Sequence, residues 1–325
     1  MKQIDFLVCV RCFTFNHAPY IKDAMDGFCM QKTSFPFVCV IVDDASTDGE
    51  QDVIKSYLAQ YFNFDNQEIV RNEETNDYVL TFAQHKTNKN CFFAVYFLKY
   101  NHYSVKKNKF PYFSEYHDNA KYIALCEGDD YWIHPQKLQL QTDYLKKNAN
   151  CILCYGSGKS YIQSSHSFEK TIKGKDFVTF EKLLFANPVL TMTTMMRFTA
   201  FDRFIKDEKT WNKKAWKMGD YPMWLWCSAN GDCHYFDEIF GVYRVLEESA
   251  SHTLDKEKRL AFFLDFKDIQ LFFAKKYNAS SKVRYLMLAR DEFTMFKLLY
   301  YSSKFKAIKC LFRIPYYVLR SLCER

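Results

Sequence analysis

Phe37 to Phe62 reads FVCVIVDDASTDGEQDVIKSYLAQYF, a short apolar run that stops at two aspartates and gives way to a polar turn and a helical pattern. An apolar stretch this short, rich in valine and isoleucine, predicts a strand covered on both faces, as in parallel sheets flanked by helices. Beyond Asp43 and Asp44, the residues Val53, Ile54, Tyr57, Leu58 and Phe62 recur at helical spacing and predict a helix with one inward face. Strand, acidic turn and helix together are the unit of an α/β sheet. Ser46 or Thr47 is placed to cap the helix, which explains Ser46 to Glu50 better than it explains paired aspartates at a strand's end.

The same unit recurs along the first half of the chain. FLVCVRCF (6–13) predicts a first strand, and after the Asn16/His17 turn Pro19 opens a helix with Ile21, Ala24, Met25 and Phe28 on one face. QEIVR (67–71) predicts a third strand, residues 79–100 a helix with a loop to 120, and KYIALC (121–126) a strand with a helix after Pro135. CILCYGS and SYIQS predict separate strands, FEKLLF a short helix, LTMTTMMRF a strand, YPMWLWCSA a helix, and CHYF and FGVYR two extended pieces. From 255 onward the pattern is helical throughout. The expectation is an α/β unit over 1–254, a Rossmann-like, mostly parallel sheet flanked by helices, with a C-terminal helical extension over 255–325.

With 325 residues, 48% of them hydrophobic, the chain can bury a full core in one large or two modest units. Asp5 and Arg11 interrupt the N-terminal apolar run, against a secretory signal, and no uncharged stretch of ~18 residues offers a membrane span. A cytoplasmic location is expected. Of the 12 cysteines, Cys9, Cys39, Cys126, Cys151 and Cys154 lie in apolar strand-like segments, where thiols behave as small buried hydrophobes. Cys9/Cys12 and Cys151/Cys154 have C-x-x-C spacing, but residues three apart on a strand point to opposite faces, and neither pair sits in the glycine-containing turn of a zinc knuckle. The net charge of +7 raises nucleic acid as a partner, yet no zinc-finger, RNP or helix-turn-helix pattern accompanies it, so none is expected.

Acidic clusters fall where an open α/β sheet keeps its ligands, beyond the carboxyl ends of strands. They are Asp43/Asp44, then Glu127/Asp129/Asp130 in YIALCEGDDYW (122–132), and Asp220 in MGDYPMW. Grouped carboxylates raise one another's pKa unless a cation holds them. Mg²⁺ takes one or two carboxylates and leaves its other positions to water and phosphate oxygens. Gly-Asp-Asp is also good turn chemistry, and Asp220 ahead of Pro222 a good helix N-cap, so taken singly these residues leave both readings open.

Taken in order, VCVRCFTFNHAPYIKDAMDGFCMQ, FVCVIVDDASTDGEQDVIKSY, YIALCEGDDYWIHPQKLQLQTDYL, GDYPMWLW and DEIFGVYRVLEESASH resemble a family 2 glycosyltransferase of GT-A fold, in a bacterial subgroup containing EGDDYW. Ordered motifs with fitting gaps are more specific than any one of them. The resemblance implies inverting transfer of a sugar from a nucleotide-sugar donor, a UDP-sugar, to a glycan or lipid-linked acceptor in surface-polysaccharide, lipopolysaccharide or capsule synthesis, with Mg²⁺ or Mn²⁺ as cofactor. It implies that Thr14, Phe15 and Asn16 line the nucleoside pocket, that Asp44 with Asp43 beside it binds the base, and that Arg71 borders it. Asp129 and Asp130 match the metal and ribose carboxylates, with Glu127 at a position often filled by Asp. Asp220 matches the base that takes the acceptor's proton as its oxygen attacks C1 of the sugar. Arg244 and His252 match groups that close over the diphosphate, the arginine on phosphate oxygens and the histidine in the metal shell. Residues 72–120 depart from the family pattern: RNEETNDY has no glycine, and a long aromatic stretch follows.

Two rivals stand beside this reading. A metal-dependent nucleotidyltransferase is disfavoured by only nine glycines and no phosphate loop. A catalytically inactive relative that binds glycan or protein is disfavoured by intact EGDD and GDYP. The C-terminal stretch mixes Lys304, Lys306, Lys309, Arg313 and Arg320 with Phe305, Ile308, Phe312, Tyr316 and Leu319. It either lies on an anionic bilayer at the inner face of the plasma membrane or packs on the α/β unit with a lysine-rich outer face, and Pro315 splits it in two in either case.

Overall fold

The computed structural model describes residues 4–211, 216–247, 255–300 and 303–323. In chain order, β1 (Val8–Thr14), α1 (Ile21–Cys29), β2 (Phe37–Asp43) and α2 (Glu50–Tyr61) come first. They are followed by β3 (Phe62–Asn63), β4 (Arg71–Glu74), β5 (Tyr78–His85), β6 (Cys91–Leu98), α3 (Pro111–His117), β7 (Tyr122–Leu125), β8 (Tyr131–Trp132) and α4 (Lys137–Lys147). Next are β9 (Cys151–Ile162), β10 (Ser167–Ile172), α5 (Phe180–Leu183), β11 (Met195–Arg197), α6 (Phe198–Trp211), α7 (Asp220–Asn230) and β12 (Asp232–Val245). Helices α8 (Lys256–Lys276), α9 (Ser281–Leu299) and α10 (Lys304–Cys323) close the order.

The strands form one sheet in the order β3-β5-β6-β2-β1-β7-β11-β9-β12-β8, with β10 on β9 and β4 on β5. The parallel core is β6-β2-β1-β7, of which β1, β2 and β7 were expected as strands and β6 was not. Antiparallel pairings flank it on both sides, β5 against β6 and β11 against β7 and β9, so the sheet as a whole is mixed. Parallel register brings the carboxyl ends of β1, β2 and β7 to one edge, with Thr14 opposite Asp43.

β2 is buried along its whole length because helices cover both faces. Val10, Cys12, Cys39 and Ile41 join α1, α2 and α4 through Ile21, Phe28, Ile54 and Leu138. Cys9, Val38, Val40 and Val42 join α3 through Tyr112, Phe113 and Tyr116. Cys9 and Cys12 thus serve opposite faces as core side chains. A third cluster ties Ile123, Leu153 and Tyr155 to Trp224 on α7, Phe273 on α8 and Met287 on α9. Each fully buried side chain of that size stabilises by ~1.5–3 kcal/mol, so the C-terminal helices brace the helix that begins at Asp220.

Several predicted elements come out differently. Residues 79–100 are a β-hairpin, with Tyr78 opposite Leu98. All of β6 is buried, which a one-faced helix could not achieve, and an all-apolar run matches any period. The third strand starts at Arg71, because the amides of Ile69 and Val70 close a turn on the Asn66 carbonyl. CILCYGS and SYIQS are the single strand β9, and CHYF and FGVYR the single strand β12; the two pair in parallel, with register shifts that absorb the polar residues between Phe236 and Ile239. In LTMTTMMRF only β11 is strand, because the Thr193 and Thr194 hydroxyls bond back to the Leu190 and Thr191 carbonyls in a tight turn. Pro315 does not split the tail: α10 is continuous, held on either side of the proline by Cys310 packed at the end of α9 and Tyr317 stacked on Tyr285.

Candidate active site

Loops after β1, β2 and β7 meet at the carboxyl edge of the parallel core. Asn16 adopts φ 56°, a left-handed conformation that asparagine tolerates. Its N–H donates to Ser46 Oγ at 2.8 Å, and its Oδ1 accepts from the Thr47 N–H at 2.8 Å. Ser46 and Thr47 are therefore spent on tying the two turns together. The expected cap is absent: Gly49, at φ 93°, precedes α2 and no side chain caps it.

Glu50 completes this clamp, a role the sequence reading missed because D-G-E passed for an ordinary helix start. Fully buried, it accepts from Thr14 Oγ1, from the His17 N–H at 2.8 Å and from Ser46 Oγ at 2.8 Å. Burial pushes its pKa up, and the bonds from Thr14, His17 and Ser46 pull it back. Phe15, by contrast, is 43% exposed on the outer side of the turn.

Asp43 and Asp44 are 0% and 2% exposed. Asp43 Oδ1 accepts from the Ser46 N–H at 3.2 Å and Gln51 Nε2 at 2.6 Å, and burial raises its pKa. Asp44 Oδ1 accepts from the His102 N–H at 2.7 Å, and its Oδ2 from the Tyr103 N–H at 3.2 Å and Lys109 Nζ at 2.7 Å. The segment that departs from the family pattern thus folds onto Asp44. A ligand reaches this carboxylate only if residues 101–109 give way. Arg71 pairs with Glu73 and Glu115, away from these acids.

The EGDD turn runs directly beneath the β1 turn. Gly128 donates its N–H to the Phe13 carbonyl at 3.0 Å, and a Cβ there would stand 2.1 Å from Thr14 Oγ1, so glycine is required by close approach. Asp130 faces inward and accepts from the Arg244 N–H at 2.8 Å; burial, then the neighbouring Asp129, hold its pKa well above the carboxylate range. Arg244 lies in β12 and is 6% exposed. Its guanidinium donates to the Asp129 carbonyl at 2.8 Å, Gln163 Oε1 at 2.8 Å and Asp23 Oδ2 at 2.7 Å, and lies over Tyr20 and Tyr131. In this position it braces the EGDD turn from below. His252 lies outside the described residues.

Glu127 is exposed to solvent. Desolvation first, then the Asp129 and Asp220 carboxylates, push its pKa up to about 7, with Lys109 opposing. Asp220, remote in sequence, opens α7 beside this group and accepts from the Thr191 hydroxyl at 3.3 Å. Glu127, Asp129, Asp220 and Lys109 therefore share one electrostatic neighbourhood. No three His, Cys, Asp or Glu side chains among the described residues stand close enough to hold a metal ion by themselves. Glu127 and Asp129 suit a hard cation, which would relieve their repulsion but take its remaining oxygens from phosphate and water.

Residues 10–79, spanning most of β1 through β4, match the family model for glycosyl transferase family 2. The matched segment holds the β1–β2 clamp, and the sheet with flanking and C-terminal helices is the α/β layout expected. Uncharacterized proteins of Mycobacterium tuberculosis (strain ATCC 25618 / H37Rv) and Mycobacterium bovis are each 33% identical over 142 residues, 44% of this chain and 32% of theirs. The chain thus spans about a third of the length of the curated relatives it matches. Among solved structures, S. aureus TarS in complex with UDP-GlcNAc is similar at 14% identity and TM-score 0.49, over 93% of this chain and 88% of that one; another S. aureus TarS chain is covered to 43%. The mannosyltransferase PcManGT from Pyrobaculum calidifontis, in complex with GDP-Man and Mn2+, is similar at 13% identity and TM-score 0.49, over 99% and 89% of the two chains.

Proposed function

We propose that the protein is an inverting, metal-dependent glycosyltransferase that moves a sugar from a UDP-sugar to a glycan or lipid-linked precursor of a surface polysaccharide. In this reading residues 1–254 carry the chemistry and 255–325 form an appended helical region. The observation that supports it most is that Asp220, remote in sequence, lies near enough to Glu127 for its charge and that of Asp129 to add to desolvation in lifting the Glu127 pKa to about 7. Asp220 is the proposed base, taking the acceptor hydroxyl's proton, with the Thr191 hydroxyl holding one of its carboxylate oxygens in place. Glu127 and Asp129 would hold Mg²⁺ or Mn²⁺, which supplies charge stabilisation for the departing diphosphate. Thr14 and Asn16 would border the nucleoside, Asp44 would do so only if residues 101–109 give way, and Arg244 keeps the EGDD turn in register.

The test is Asp220→Asn. The variant is expected to fold, to bind UDP with Mn²⁺ as the wild type does, and to lose transfer by about 10²–10⁴-fold. Turnover at the wild-type rate would overturn the assignment of the base.

A further inference from the structure

α10 packs on the rest of the protein through Ala307, Cys310, Ser321 and the Tyr317 ring, and turns most of its large side chains outward. Ala307, Cys310 and Ser321 are buried, whereas Phe305, Phe312 and Leu319 are 70%, 79% and 62% exposed. At about 100° of rotation per residue, Phe305, Ile308, Phe312, Tyr316 and Leu319 fall within an arc of roughly 80°, opposite the buried side. Lys306, Lys309, Arg313 and Arg320, all exposed, line one flank of that arc, and α10 contains no Asp or Glu. A helix made only to pack on its own domain has the reverse arrangement, with aromatics inward and lysines out.

A continuous apolar stripe of this size marks a contact surface. Its charge favours one occupant. A second copy of α10 would bring two cationic flanks together, whereas an anionic lipid surface attracts each Lys and Arg within a Debye length. No helix among the described residues is long and apolar enough to cross a membrane, so the contact lies in the interface plane. We propose that α10 docks the protein on an anionic membrane, with Phe305, Phe312 and Leu319 entering the acyl boundary and Lys306, Lys309, Arg313 and Arg320 at headgroup level. This deepens the transferase reading by naming the surface where a lipid-linked acceptor would be met. Vesicle binding needs neither donor nor acceptor, so either claim can fail without the other.

The experiment is co-sedimentation of the full chain with phosphatidylcholine vesicles, alone or with an equal part of phosphatidylglycerol. The wild type is expected to bind the anionic vesicles at least about tenfold more tightly than the neutral ones, and to release as salt rises. Phe312→Asp combined with Leu319→Asp is expected to weaken that binding at least about tenfold. Thermal stability should not change, since both side chains are exposed. Three results would overturn the proposal: no vesicle binding, binding undiminished by the double substitution, or a lipid-free dimer by light scattering that the double substitution breaks.

Discussion

At the end of β2, Asp44 meets two backbone N–H groups and the Lys109 ammonium, whereas at the end of β7 Glu127 feels the charges of Asp129 and Asp220. Both places begin as an apolar strand that stops at closely spaced acids. The chain neutralises the first itself, so its charge organises the 101–109 loop. It leaves the second short of positive charge, and Lys109 reaches both, bonding Asp44 and acting on Glu127 from a distance. A strand-end acid is thus structural or chemical according to how many donors the rest of the fold sends to it.

The largest stability effect that would break this contrast is at Asp44. Asp44→Ala leaves a lysine and two amides unpaired near a buried site, and is expected to cost about 2–4 kcal/mol in denaturant unfolding and to speed hydrogen exchange at His102 and Tyr103. Unchanged stability would show that β2's end is not neutralised from within. Gly128→Ala comes next: its Cβ meets Thr14 Oγ1, and relief by moving Thr14 disturbs the bond to Glu50, for an expected loss of about 1–3 kcal/mol by thermal melt.

The smallest effect sharpens the contrast through its sign. The folded pKa of Glu127, about 7, lies above the ordinary 4.5, so between those values the folded state holds more protons than the unfolded one. Stability contributed by this site therefore falls as pH rises through that window. Glu127→Gln removes the loss and is expected to raise the melting temperature of the metal-free protein by a few degrees above pH 7, with the difference vanishing well below pH 4.5. The solvent exposure of Glu127 keeps the gain small. An equal substitution at Asp44 stabilises nothing, since that charge is already paired.

Three strands of the parallel core, β1, β2 and β7, were legible because each is an apolar run ended by a turn. VDDASTDGE and EGDD were legible for the same reason, as polar residues placed where a strand must stop. The hairpin of β5 and β6 was not, because CFFAVYFL satisfies every hydrophobic period and only its antiparallel partner decides. Arg244 was legible as a motif residue, but not as the brace of the EGDD turn: that role depends on the pairing of its strand with β9, which no local pattern announces.

By itself the sequence determined where strands end and which acids stand there, because burial periodicity and turn chemistry act over a few neighbouring residues. Tertiary structure alone decided which acids are neutralised, since the Lys109 ammonium and the His102 and Tyr103 amides reach Asp44 across more than fifty residues. It also decided that Asp220 belongs with Glu127, and that α10 faces most of its aromatics outward. Electrostatics and packing depend on distance in space, and the chain does not carry that distance until it is folded.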